Sequence, residues 1–207
     1  MTTVGVIDYG MGNLKSICNA LIHLGATPEV CTNATEVERC SRLVIPGVGA
    51  YRAAMENLRT RALIDSIGAH AADGRPLLGI CLGMQLLSTF GSEPDRTEGL
   101  NLIPGEVMPL PDDPRHRVPH VGWNAARLAR PHPLFAGIKL GLDWYFVHSY
   151  CYLPAAAEDA AATTDYGVAF ASIVARRNVL GVQFHPEKSQ EHGLRLLENF
   201  TTWDGTC

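Results

Sequence analysis

Two short stretches of the chain combine residue types that do chemistry together. Gly79-Ile80-Cys81-Leu82-Gly83 is a G-x-nucleophile-x-G pentapeptide with cysteine as the nucleophile. It lies where an apolar run ends at Ile80 and a helical pattern begins at Leu82, the strand–turn–helix setting of a nucleophile elbow. A sharp turn strains the backbone of the nucleophile, and flanking glycines let neighbouring chain approach. A thiol at a helix N-terminus is also biased toward the thiolate, the attacking form. The backbone N–H of Leu82 points at the place of attack and is a candidate oxyanion donor. The same five residues also fit a buried structural cysteine between close-packed glycines. Gln183-Phe184-His185-Pro186-Glu187 supplies what the elbow lacks. In extended chain His185 and Glu187 face the same side. Glu187 then orients the imidazole, and His185 takes the proton of Cys81, a triad in the order Cys…His…Glu.

Pro46-Gly47-Val48-Gly49-Ala50 follows a short apolar strand, and its glycines open backbone conformations closed to other residues. Beside the elbow, the N–H of Val48 or Gly49 is a candidate second oxyanion donor. Asp8-Tyr9-Gly10-Met11-Gly12-Asn13-Leu14-Lys15 begins like a dinucleotide fingerprint, but Lys15 stands where the third glycine belongs. Tyr9 and Asn13 at this helix start are instead expected to be exposed to a partner. His116-x3-His120 has metal-ligand spacing, yet prolines surround it and no third ligand follows, so no metal is expected.

These groups need elements to hold them. Val4–Tyr9, Thr27–Thr32, Arg42–Ile45 and Pro76–Ile80 read as strands. Asn13–Leu24, one or two helices within Ala50–Ile67, and Leu82–Phe90 read as helices. Strands alternating with helices give βαβ units and a parallel sheet. The second half is strand-rich: Leu100–Leu110, Val118–Leu128, Leu142–Leu153, Val168–Ala175 and Val179–Phe184, the last two joined by a hairpin turn at Arg176-Arg177-Asn178. Lys188–Phe200 closes the chain as a helix, and Pro109–Pro119 is the best linker candidate. The expected fold is α/β: one domain over residues 1–207, with a mixed, mainly parallel central sheet flanked by helices.

Composition agrees. Of 207 residues, 46% are hydrophobic and 18% charged, which is globular and excludes a disordered chain or a coiled coil. Net charge is −4 and no block of five like charges occurs, so neither nucleic acid nor an acidic membrane surface is an expected partner. The longest nearly apolar run, Leu77–Leu87, is broken by glycines and Gln85 and falls short of the ~20 residues a membrane span needs. The first ten residues lack a signal-peptide pattern, and the six cysteines contain no CxxC. A cytoplasmic protein with mostly free thiols is expected.

PGVGA, GICLGMQLL and QFHPEKS, in that order, resemble the class I (triad) glutamine amidotransferases, whose fold is flavodoxin-like. IDYGMGNLKS, PHVGWN and WYFVHSY narrow the resemblance to the branch of glutaminase subunits that serve imidazole glycerol phosphate synthase in histidine biosynthesis. The resemblance runs nearly end to end. It implies Cys81 as nucleophile, His185 as base and acid, and Glu187 as the orienting carboxylate. It implies that Gly49, Gln85, Glu93, His148, Ser149 and Tyr150 hold glutamine, and that no cofactor is used. It further implies a (β/α)8-barrel cyclase partner that receives ammonia, with Asn13, His120, Trp123, Asn124, Tyr145 and Lys188 near the interface. A related branch that feeds ammonia to surface-sugar pathways is the alternative. The tail from Asp204 to Cys207 and the alanine-rich 155–162 stretch depart from the pattern without touching a motif.

Overall fold

In a computed structural model of the chain, residues 3–111, 114–139 and 141–206 are described. The first half winds as β1 (Thr3–Ile7), α1 (Leu14–His23), β2 (Thr27–Cys31), α2 (Ala34–Arg39), β3 (Arg42–Ile45), α3 (Tyr51–Thr60), α4 (Ile64–Ala72), β4 (Leu77–Ile80) and α5 (Leu82–Gln85). The second half adds β5 (Phe90–Ser92), β6 (Arg96–Glu98), β7 (Gly105–Pro109), β8 (His120–Ala125), β9 (Arg127–Leu128), β10 (Asp143–His148), β11 (Tyr150–Pro154), β12 (Ala160–Asp165), β13 (Ala169–Arg176), β14 (Val179–Val182) and α6 (Gln190–Thr202).

Strands β2, β1, β3, β4 and β14 lie side by side and parallel. Beyond β14 the sheet continues through β13, β11, β7, β5 and β6, with antiparallel pairing predominating. The four residues of β4 and of β14 are all buried, as expected where helices cover both faces of a parallel sheet. Ile17 and Leu21 of α1 pack with Leu197 and Phe200 of α6 over Val6, Val44 and Ile80. On the other face Val37, Tyr51, Leu58 and Ile67 of α2, α3 and α4 cover Ile7, Leu43 and Leu77. This is the expected α/β architecture with helices on both faces of a mixed sheet.

Several boundaries differ from expectation. Helix α5 ends at Gln85 rather than Phe90, and the strand expected from Leu100 begins at Gly105. The two differences share one cause. The N–H groups of Leu100, Asn101 and Leu102 donate to the carbonyls of Leu86, Ser88 and Leu87 at 2.8–2.9 Å, so the later segment wraps the helix end. The apolar stretch Leu142–Leu153 divides at Ser149. Its first part, β10, pairs with β8 in a two-stranded ribbon, and its second part, β11, enters the main sheet. Helix α2 was not expected, although Asn33 and Glu36 mark its start. The Asn33 side chain accepts from the Glu36 N–H at 3.1 Å. The alanine-rich segment supplies β12, whose Ala161 and Ala162 are fully buried. Residues 112–113 of the proline-rich stretch lie outside the described residues, as does Cys207.

Candidate active site

Parallel strands deliver the chemistry to one end of the sheet. Ile45 of β3 is in register with Gly79 of β4, and Ile80 of β4 with Val182 of β14. The segments that follow these strands are the Pro46–Ala50 loop, Cys81 and Gln183–Glu187. Three motifs far apart in sequence therefore emerge at adjacent carboxyl ends, where open α/β sheets bind ligands.

The elbow is tight. Cys81 has φ 54° and ψ −111°, a strained conformation for any residue with a Cβ. Its N–H donates to the Val182 carbonyl at 2.8 Å, which pins the turn to β14. The glycines on either side are required by space. A Cβ on Gly79 would lie 2.6 Å from the Gly83 carbonyl oxygen, and one on Gly83 only 1.7 Å from that of Ile45.

His185 is 3% exposed, and its N–H donates to the Tyr145 carbonyl of β10 at 2.9 Å. Its Nδ1 lies 2.9 Å from Glu187 Oε1. The expected pair is thus present, but not by strand alternation. Pro186–Lys188 form a 3-10 turn, and the turn brings the i and i+2 side chains together. The Nε2 atom is buried without a hydrogen bond. Burial pushes the His185 pKa down. The nearness of Cys81 and the hydrogen bond and charge of Glu187 outweigh it, and the result is raised from 6.5 to about 9.

This has a measurable sign. The folded state holds the His185 proton more tightly than the unfolded chain. The stability it contributes is complete below pH 6.5 and is lost as pH rises through about 9. By NMR, the imidazole is expected to titrate near pH 9. In Cys81→Ala its midpoint should fall, because burial remains while the cysteine's influence is gone. An unchanged midpoint would mean that Glu187 alone sets it.

The expected oxyanion donors are not all free. The Leu82 N–H donates to the Gly47 carbonyl at 3.3 Å instead of opening toward a substrate. Val48 and Gly49 line the cavity beside Cys81, with Gly49 at φ +109°. Tyr9, expected at the surface, is fully buried and donates from its hydroxyl to the Pro46 carbonyl at 2.7 Å. It anchors the loop, because β1 carries it beneath Gly47 rather than outward. Asn13 is exposed, and its side chain caps α1 through the Ser16 N–H.

A cavity of about 310 Å³ opens at Cys81 and is lined by Gly49, Gln85, Glu93, His148, Ser149 and Tyr150, the six residues expected to hold glutamine. Glu93 is already half engaged, since its Oε2 accepts from the Tyr51 N–H at 3.0 Å. His148 offers no ring nitrogen to the cavity. Its Nδ1 meets the Tyr150 carbonyl at 2.8 Å and its Nε2 meets His120 at 3.0 Å. Gln183 is not among the residues that the sequence places at the site. It is fully buried, with Nε2 3.8 Å from the Cys81 sulfur. Its place in the Gln183–Glu187 motif is the one signal that pointed to it.

Of the expected interface residues, Trp123 and Tyr145 pair across the ribbon with ring centroids 5.8 Å apart, and the Lys188 ammonium lies 5.7 Å from the Tyr145 ring. Val121 and Trp123 are 56% and 46% exposed. Asn124 is half-buried. His120 differs from expectation: it is 2% exposed, stacked between Phe146 and Tyr166, and cannot present its ring to a partner. Among the described residues no cluster of three potential metal ligands occurs, and no helix is long and apolar enough to cross a membrane.

A cysteine elbow thus stands beside a His–Glu pair at the carboxyl ends of a parallel sheet, an arrangement with the parts of a thiol nucleophile and its base. The family model for glutamine amidotransferase class-I matches residues 5–203, and the chain belongs to that family. Solved structures share the fold at low identity. The structure of PurLQS from Thermotoga maritima matches with a TM-score of 0.76 and 17% identity over 97% of this chain and 98% of that one. Within the family, similarity to one group is much higher. The imidazole glycerol phosphate synthase subunit HisH of Moorella thermoacetica is 48% identical over 97% of this chain and 94% of that protein. The protein of the same name from Caulobacter vibrioides is 46% identical over 98% and 99%.

Proposed function

We propose that this chain is the glutaminase subunit of an imidazole glycerol phosphate synthase, acting in the cytoplasm through Cys81, His185 and Glu187. The register that sets Cys81 beside the His185–Glu187 pair carries this reading. The thiolate of Cys81 attacks the side-chain amide carbon of glutamine, and the oxyanion is held by backbone N–H groups of the elbow and the Val48–Gly49 loop. His185 gives its proton to the leaving nitrogen, and ammonia departs. Water deprotonated by His185 then cleaves the glutamyl thioester, releasing glutamate and regenerating the thiol. The nucleophile and base come from the chain itself, so the reaction requires no metal or organic cofactor.

The resting geometry supports coupling to a partner. With the Leu82 N–H bonded to Gly47, the loop must turn before both oxyanion donors face the substrate. We assign that turn to docking of a (β/α)8-barrel cyclase with its ligand, which keeps ammonia from being released into water and protonated. Glutamate release should be low for the chain alone and rise strongly with liganded cyclase. Equal rates in the two conditions would sink the switch and favour a stand-alone hydrolase.

The exposed ribbon face around Val121, Trp123 and Tyr145 fits the docking surface, because a large aromatic side chain half in water is a typical binding anchor. Trp123→Ala is expected to weaken cyclase binding about tenfold or more, read by titration calorimetry. Unchanged affinity would place the interface elsewhere.

A further inference from the structure

The ring nitrogens and amides behind the cavity form a network whose polarity follows from one group. The Tyr150 carbonyl can only accept. Both atoms that approach it, His148 Nδ1 at 2.8 Å and Gln85 Nε2 at 3.2 Å, must therefore donate. His148 is buried and neutral, its pKa pushed down by burial to about 3. Its Nε2 then accepts, and His120 Nδ1, 3.0 Å away, must donate. Burial also holds His120 neutral, with its pKa lowered to about 4, so its Nε2 accepts from Asn124 Nδ2 at 3.5 Å. The far end gives an independent check. The Ala125 N–H donates to Asn124 Oδ1 at 2.8 Å, and Asn124 Nδ2 donates to the Asp165 carbonyl at 2.9 Å. The amide orientation set by these backbone groups is the one the ring sequence demands.

The same logic runs the other way. Gln85 Nε2 also faces Gln183 Oε1 at 3.0 Å, so the oxygen of Gln183 is committed there. Its Nε2 is left to point at the Cys81 sulfur, 3.8 Å away. Both protons of Gln85 Nε2 are used, which leaves its Oε1 as the acceptor for a ligand in the cavity.

We infer that this network, running from Asn124 on the ribbon to the Cys81 sulfur, fixes both histidines as Nδ1–H tautomers and makes Gln183 a donor to the sulfur. Gln183 touches the reacting atom, whereas His120 and Asn124 act through others and are positioning residues. Because Asn124 and Trp123 are neighbours on β8, the network starts next to the proposed docking face. The role of the sulfur rests on the proposed nucleophile, but the tautomers do not.

Two measurements test it on the full chain. With 15N-labelled histidine, long-range proton–nitrogen correlation should show His120 and His148 protonated at Nδ1 alone from pH 5.5 to 8. The titratable neighbours acting on them, His116 and His120 or His185, all push toward the neutral form. An Nε2–H tautomer at either ring, or titration of either near pH 6.5, overturns the network. In Gln183→Leu, alkylation of Cys81 by iodoacetamide at pH 7.5 should slow about tenfold, with kcat for glutamine falling similarly and KM little changed. Gln183→Asn should restore less than Gln183→His, which keeps a longer-reaching donor. Unaltered alkylation in a folded Gln183→Leu protein overturns the assignment of Gln183 even if the histidine tautomers are as expected.

Discussion

Replacing Cys81 by alanine is expected to reduce glutamate release about ten-thousandfold or more, because removing the nucleophile of a covalent mechanism leaves only binding and oxyanion stabilisation. The same position should show the opposite effect on stability. At φ 54° and ψ −111° a Cβ is strained against its own backbone, and glycine is not. Cys81→Gly should therefore be as inactive as Cys81→Ala but more stable than it by about 1–2 kcal/mol in urea unfolding. Comparing glycine with alanine isolates the backbone, since neither restores the thiol. Equal stability of the two variants would mean that the turn is relaxed. Full activity in Cys81→Ala would remove the covalent mechanism altogether. The paired outcome, less stability for more function, is what a nucleophile elbow implies: strain holds the sulfur clear of the sheet, beside His185, and the surrounding packing offsets its cost.

The parts of this site that could be read from sequence are those whose chemistry is local. Cys81 announces itself because the glycines needed for the turn are two residues away on each side. His185 and Glu187 are separated by one residue, a spacing that pairs them in extended chain and also in the 3-10 turn that in fact joins them. The short apolar run of β4 is equally legible, since burial on both faces leaves no polar position in it. What escaped depends on distant partners. Leu86–Ser88 carry a helical pattern, yet their carbonyls are taken by residues 100–103, and nothing within the segment records that. Tyr9 reads as a surface residue at a helix start, and the position of the Pro46 loop shows why it is buried. Gln183 lies beside Cys81 because β14 pairs with β4, a contact across about a hundred residues. His120 was placed by its motif near the interface, where its neighbours on the ribbon do face outward. The alternation of β8 turns His120 inward, onto His148.

The close approach of α5 to the sheet yields the other large effect. Gly83 has no room for a side chain: an added Cβ would meet the Ile45 carbonyl oxygen at 1.7 Å and its carbon at 2.7 Å. Both atoms belong to the backbone of a central strand, which cannot swing aside as a side-chain tip does. Gly83→Ala must therefore push α5 away from β3, at a cost of about 3–5 kcal/mol in unfolding free energy. The displacement also moves the Leu82 N–H and the Cys81 turn, so glutaminase activity should fall about a hundredfold or more even at temperatures where the variant remains folded. Gly68 is the matched control. It lies within α4, nothing beyond its chain neighbours and its own helix backbone comes within 4 Å of the corresponding Cβ, and its φ is not in the left-handed region. Gly68→Ala should instead stabilise the protein by about 0.5–1 kcal/mol, through helix propensity and a less disordered unfolded chain. Unfolding curves of the two variants beside the parent chain decide the matter. A Gly83→Ala protein within 1 kcal/mol of the parent would show that helix and strand have slack between them. The elbow would then be held by the Cys81 N–H bond to Val182 rather than by contact across β3.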